Sequence, residues 1–123
     1  MKSEYYLNIA RKASNKSNHK KYHLGCVIVK GSRILGIGWN IHRTHPKSPH
    51  QYKFIHAEFM AALNANEQIK GSTVYVFRQK KNGKWAMARP CKDCMKYLIN
   101  LEVKRIIYSF NGYFNEEDLK QLI

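Results

Sequence analysis

Three things are scarce in this chain of 123 residues: long apolar runs, cysteine and acidic side chains. No apolar run approaches the ~20 residues that a membrane-crossing helix needs. The first residues carry no signal-peptide core. A membrane span and a secretory route are therefore not expected. Three cysteines are too few for a disulfide framework, and two of them, Cys91 and Cys94, are spaced like metal ligands. That usage fits a soluble protein of a reducing compartment, the cytoplasm. Acids number 8 against 22 Lys and Arg, for a formal charge of +14. Residues 1–55 hold eleven basic residues against the single acid Glu4, and the rest hold eleven against seven. Charge this one-sided either solubilises the surface or meets phosphate, as in a nucleotide or single-stranded nucleic acid, and it favours phosphate. The length suits one domain over residues 1–123, built around one core.

The chemistry concentrates in two short stretches, His56-Ala57-Glu58 and Pro90-Cys91-Lys92-Asp93-Cys94. One His and two Cys make up the usual protein share of a catalytic zinc site, with the fourth tetrahedral position left for water. Cys91 and Cys94 stand at i and i+3, so on a helix they share a face. Pro90 suits a first helical turn, and Asp93 suits the positive helix end. His56 and Glu58, at i and i+2, would splay apart in mid-helix but converge at a helix start. Two helix N-termini then point at one ion. Glu58 is left to carry the proton of an attacking water without binding the metal. The backbone N–H groups of Ala57 and Cys91, at helix starts, are placed to anchor a substrate carbonyl.

His-x-Glu followed by Pro-Cys-x-x-Cys is the signature of zinc-dependent nucleobase deaminases. On these residues the chain resembles the cytidine deaminase-like superfamily, from the first strand to the strand after the Cys helix. The resemblance implies one catalytic Zn2+ held by His56, Cys91 and Cys94, with Glu58 catalytic. It also implies that Asn40, which ends Gly36-Ile37-Gly38-Trp39-Asn40 after a strand, contacts the sugar or base. The plainer alternative for Asn40 is a turn residue bonding backbone. Homo-oligomers that complete the pocket from a neighbouring copy are implied as well. The surroundings of the motifs point two ways. Gly-x-Gly-Trp-Asn and His-Ala-Glu-x-Met-Ala look like tRNA adenosine deaminases. The Lys80–Gly83 hairpin and Met-Ala-Arg-Pro-Cys look like small cytosine-acting, deoxycytidylate-type or virus-borne relatives. Cytosine, in a nucleotide or in single-stranded nucleic acid, is the favoured base, with adenosine in tRNA the alternative. A non-catalytic zinc module that binds nucleic acid would need a fourth protein ligand and would leave Glu58 idle. A metal-free interaction domain would leave the paired spacing to coincidence.

The rest of the chain predicts a three-layer α/β/α domain, a mixed sheet of four to five strands with helices packed on it. Residues 3–13 read as an amphipathic helix capped by Ser3, with Tyr6, Ile9, Ala10 and Ala13 on one face. Residues 24–30 are a continuous apolar run, as in a strand buried on both faces, and pair with residues 33–39 as a hairpin. Cys26 inside that run reads as a small buried hydrophobe. Residues 41–55 form a loop whose His45 and Tyr52 are candidates for gathering phosphate or stacking on a base. A second metal at His42, His45 and His50 is disfavoured by the two intervening prolines. Residues 72–78 read as a central strand, 84–87 as a short edge strand, and 103–110 as a strand parallel to 72–78. Arg89, beside the metal motif, is a candidate phosphate contact, with a surface ion pair as the plainer role. Asn115 is expected to cap a last short helix with Glu116, Glu117 and Asp118 in its first turn. In the family a further strand and helix commonly help to shape the pocket at that end, so the short helix expected here puts substrate selection by that end in doubt.

Overall fold

The computed structural model describes residues 2–18, 22–41, 56–65, 68–80 and 82–119. Helix α1 (Lys2–Ser14) leads into β1 (His23–Lys30) and β2 (Arg33–Trp39); α2 (Ala57–Asn64) and β3 (Thr73–Gln79) follow. After β4 (Trp85–Ala86) come α3 (Lys92–Asn100), β5 (Arg105–Phe110) and β6 (Tyr113–Asp118). The strands form one mixed six-stranded sheet ordered β2-β1-β3-β5-β6, with β4 paired to β3 off this path. Among the described strands only β3 and β5 run parallel, as a strand–helix–strand crossover requires. No helix among the described residues is long and apolar enough to cross a membrane.

Both faces of the sheet are covered, which explains the unbroken apolar run of β1. Val27 and Val29 pack with Tyr6, Leu7 and Ala10 of α1. Cys26 and Ile28 point the other way, into the core shared with Ala61 of α2 and Leu98 of α3. The three layers are thus α1, the sheet, and α2 with α3. Ser3 lies inside α1, which begins one residue earlier, so it is not the cap.

Glycines set how closely the helices approach. A Cβ on Gly25 would overlap the carbonyl oxygen of Ala10 in α1, and one on Gly38 would lie 2.6 Å from the Ala57 carbonyl oxygen. Both obstacles are backbone, so the layers cannot yield without moving a whole helix. Gly25→Ala is expected to destabilise the protein by about 3 kcal/mol, measured as a fall in the urea midpoint. An unchanged midpoint would show that α1 is not seated on β1 in this way.

The C-terminal expectation fails. Residues 113–118 form β6, antiparallel to β5 with Tyr108 opposite Asn115 and Ile106 opposite Glu117. The cause lies just upstream, where Asn111 and Gly112 adopt positive φ of 39° and 92°. Two consecutive left-handed residues make the tight turn that matches strand twist, and Asn-Gly is the pair best suited to it. The three acids therefore do not serve a helix dipole. Glu116 pairs with Arg105, and Glu117 pairs with Arg89. This strand also brings the sheet to six strands where four to five were expected.

Candidate active site

The N-termini of α2 and α3 meet on one face of the sheet. His56 is the N-cap of α2 (φ −75°, ψ 151°) and Cys91 the N-cap of α3 (φ −66°, ψ 168°). Extended caps turn the chain sharply into each helix, so cap and first-turn side chains converge on the space before both axes. Pro90 precedes the cap rather than filling the first turn. The Cys91 Sγ accepts a hydrogen bond from the Cys94 backbone N–H at 3.5 Å.

The three metal-type side chains come together. Cys91 Sγ lies 3.8 Å and Cys94 Sγ 3.5 Å from His56 Nδ1. All three ligand atoms fall within 4.8 Å of one another. Nitrogen at about 2.0 Å and sulfur at about 2.3 Å from a tetrahedral zinc stand roughly 3.6 Å apart, so the spacing fits the ion. Cys94 is buried, His56 half-buried and Cys91 exposed, which leaves one side of the group open. Among the described residues no other His, Cys, Asp or Glu group has such spacing. His42, His45 and His50 lie outside the described residues. Cys26 is wholly buried and is not one of this group, and burial, with the Glu58 carboxylate, pushes its thiol up.

The Cys94 thiol is held well above its ordinary range, first by the Cys91 sulfur, then by burial and by the Glu58 carboxylate. For His56, burial pushes the imidazole down, but Cys91, Glu58 and Asp93 outweigh it and the net shift is upward. A metal held by these ligands would offset that, because a coordinating cation deprotonates a thiol outright.

A cavity of about 420 Å³ opens beside the group. His56, Ala57, Glu58 and Cys91 line it, and Glu58 is only 2 % exposed. Asn40 and Arg89, both singled out in the sequence, line it too. Asn40 ties β1 down: its Oδ1 accepts from Leu24 N–H at 3.0 Å and its Nδ2 donates to the Tyr22 carbonyl at 2.7 Å. One Nδ2 hydrogen is left over from that pair of bonds. Arg89 is gripped by Glu117, with Nε at 2.7 Å and Nη2 at 3.1 Å from its two oxygens. His45 and Tyr52 lie outside the described residues. Sequence reasoning missed Arg78 and Tyr22, which also line the cavity, the guanidinium stacked 4.4 Å above the ring. A signal existed: Arg78 nearly ends β3, and ligands of α/β sheets gather beyond the carboxyl ends of parallel strands.

Comparison with known proteins agrees with this geometry. The family model described as the cytidine and deoxycytidylate deaminase zinc-binding region matches residues 1–110. Deoxycytidylate deaminase of Mus musculus is 26% identical over 131 residues, covering 94% of this chain and 68% of its own length. A diaminohydroxyphosphoribosylamino-pyrimidine deaminase of Buchnera aphidicola is 33% identical over 112 residues, covering 89% and 67%. Among solved structures, dCMP deaminase from the cyanophage S-TIM5 superposes with a TM-score of 0.66 at 29% identity, covering 86% of this chain and 80% of that one.

Proposed function

This chain belongs to the cytidine and deoxycytidylate deaminase family, and on that premise we propose that it removes the exocyclic amine of cytosine in a nucleotide of the dCMP or CMP type. The observation that carries the proposal is a single cavity. Its lining brings His56, Cys91 and the buried Glu58 together with two guanidinium groups, Arg78 and Arg89. The first set suits a base and the second a phosphate, and about 420 Å³ lies within the range of small-ligand sites. The relatives' names point the same way, since deoxycytidylate and phosphoribosylamino-pyrimidine substrates both join an amine-bearing pyrimidine to a phosphate.

The cofactor is zinc, and His56, Cys91 and Cys94 are the residues that would hold one ion. When bound, zinc supplies Lewis acidity that brings the pKa of water from about 15.7 toward 7. The protein's own groups do the rest. Glu58 takes a proton from the attacking water and passes it to the ring nitrogen, which makes the amine-bearing carbon electrophilic. It then carries the second proton to the departing amine, so that cytosine and water give uracil and ammonia. Burial keeps Glu58 from losing protons to solvent between these transfers. The Ala57 N–H, in the first turn of α2 where the helix supplies no acceptor, is placed to hold the base carbonyl. The spare Asn40 hydrogen is placed to meet the sugar. Two cysteine ligands need a reducing setting to stay metal-competent, which is why we assign the protein to the cytoplasm. Self-association, implied by the family resemblance, belongs to the same proposal and is tested by sedimentation.

The test is a substrate panel on zinc-loaded protein: dCMP, CMP, cytidine, single-stranded oligonucleotides holding one C or one A, and tRNA. Uracil formation from dCMP or CMP is expected. Turnover confined to polymers would move the substrate to single-stranded nucleic acid, inosine in tRNA would give the adenosine activity, and silence with zinc bound would favour a structural zinc module.

A further inference from the structure

Strand β6 meets Arg89, a residue of the cavity lining, through Glu117. Alternation along the strand puts Glu117, opposite Ile106, on the sheet face that carries α2 and α3. There its carboxylate accepts from Arg89 Nε at 2.7 Å and Nη2 at 3.1 Å. The Tyr108 hydroxyl donates to the same carboxylate at 2.7 Å, so Glu117 is itself held from β5. Arg89 immediately precedes Pro90 and the α3 cap, and it lines the cavity. The three residues form a chain, Tyr108 to Glu117 to Arg89, that ends at the substrate space.

A guanidinium has five N–H donors on two edges that can each make a paired contact. Glu117 occupies the Nε/Nη2 edge. Three donors, on Nη1 and the outer side of Nη2, are not used by it. An arginine fixed along one edge is pre-organised for a planar oxyanion at the other, since the side-chain entropy of holding it has already been lost in the free protein. From this juxtaposition we infer that Glu117 is a positioning residue for nucleotide recognition. With Tyr108 behind it, Glu117 holds Arg89 in the attitude that takes the substrate phosphate. The β5–β6 hairpin thereby selects nucleotide over nucleoside without touching substrate. The inference rests on the nucleotide reading above. It also gives a purpose to an acid that would otherwise weaken the pocket's attraction for phosphate.

The opposite role makes the opposite forecast. Were Glu117 a competitor that occupies Arg89 until substrate arrives, removing it would tighten binding. The deciding experiment is a double-mutant cycle on the zinc-loaded protein, with KM and kcat for dCMP measured in wild type, Glu117→Gln, Arg89→Ala and the double variant. Zinc content and melting temperature are checked for each. Glu117→Gln is expected to raise KM about tenfold with kcat within about twofold. Arg89→Ala should raise KM at least as much. The double variant should be no worse than Arg89→Ala, because Glu117 acts only through Arg89. Arg89→Lys should fail to restore KM, since an ammonium lacks the two-edged fork. A lowered or unchanged KM in Glu117→Gln, additive losses in the double variant, or a fall in kcat alone would each overturn the inference. Wild-type protein inert toward dCMP but active on another substrate would instead overturn the nucleotide reading on which the inference depends.

Discussion

Glu58→Gln is expected to lower the turnover of dCMP by about 10⁴-fold, the upper end of what a positioned acid–base supplies, while the protein keeps one zinc ion. Glutamine has nearly the same shape and stays buried, but it cannot accept a proton from water at neutral pH. A surface carboxylate would not carry so large an effect. Glu58 is 2 % exposed, lies two residues from the His56 ligand and lines the same cavity. Its carboxylate contributes to raising both His56 and Cys94. Zinc content by elemental analysis and turnover by separation of dCMP from dUMP check the two halves of the expectation. Residual activity above about one hundredth of wild type would mean that another group moves the proton.

Cys94→Ser is expected to lose zinc and stability together. Cys94 is wholly buried in the first turns of α3, its Sγ 3.5 Å from His56 Nδ1 and interacting with the Cys91 side chain. Metal binding selects the folded chain, in which these three side chains converge, over the unfolded one, in which they do not. With zinc a thousandfold above its dissociation constant, the linkage is worth about 4 kcal/mol, or a fall of roughly 15 °C in melting temperature for a domain of this size. Stripping zinc from wild type with a chelator should reproduce most of that fall, and the variant should no longer respond to chelator. A Cys94→Ser protein that melts with wild type and still binds one zinc would remove Cys94 from the ligand set.

The site was legible in the sequence because its parts are local. A Cys pair at i, i+3 shares a face on a helix, a His–Glu pair at i, i+2 converges only at a helix start, and α2 and α3 begin one residue after His56 and Cys91. The β1–β2 hairpin and the β3–β5 crossover were legible for a similar reason: short apolar runs, turn residues between them, and a helix to join parallel strands. What stayed hidden depends on partners far along the chain. Asn111-Gly112 and Asn115 each offered a local signal, one for a hairpin and one for a helix cap. The hairpin won because β5 was there to be paired, and because Arg105 and Arg89 neutralise two of the acids on the resulting strand. Arg78 and Tyr22 reach the cavity through the pairing of β1 with β3, which sets Leu24 opposite Arg78. No spacing within either segment announces that. Asn40 shows a mixed case: its place at the end of β2 was clear, but its two bonds to the backbone around the start of β1 required the fold.

The most direct test of the whole account follows dCMP with zinc-loaded protein, zinc-stripped protein, and stripped protein to which zinc is returned. Equal amounts of dUMP and ammonia are expected from the first, neither from the second, and recovery in the third. Protein that carries one zinc per chain on His56, Cys91 and Cys94 yet forms no uracil from dCMP or CMP would contradict it.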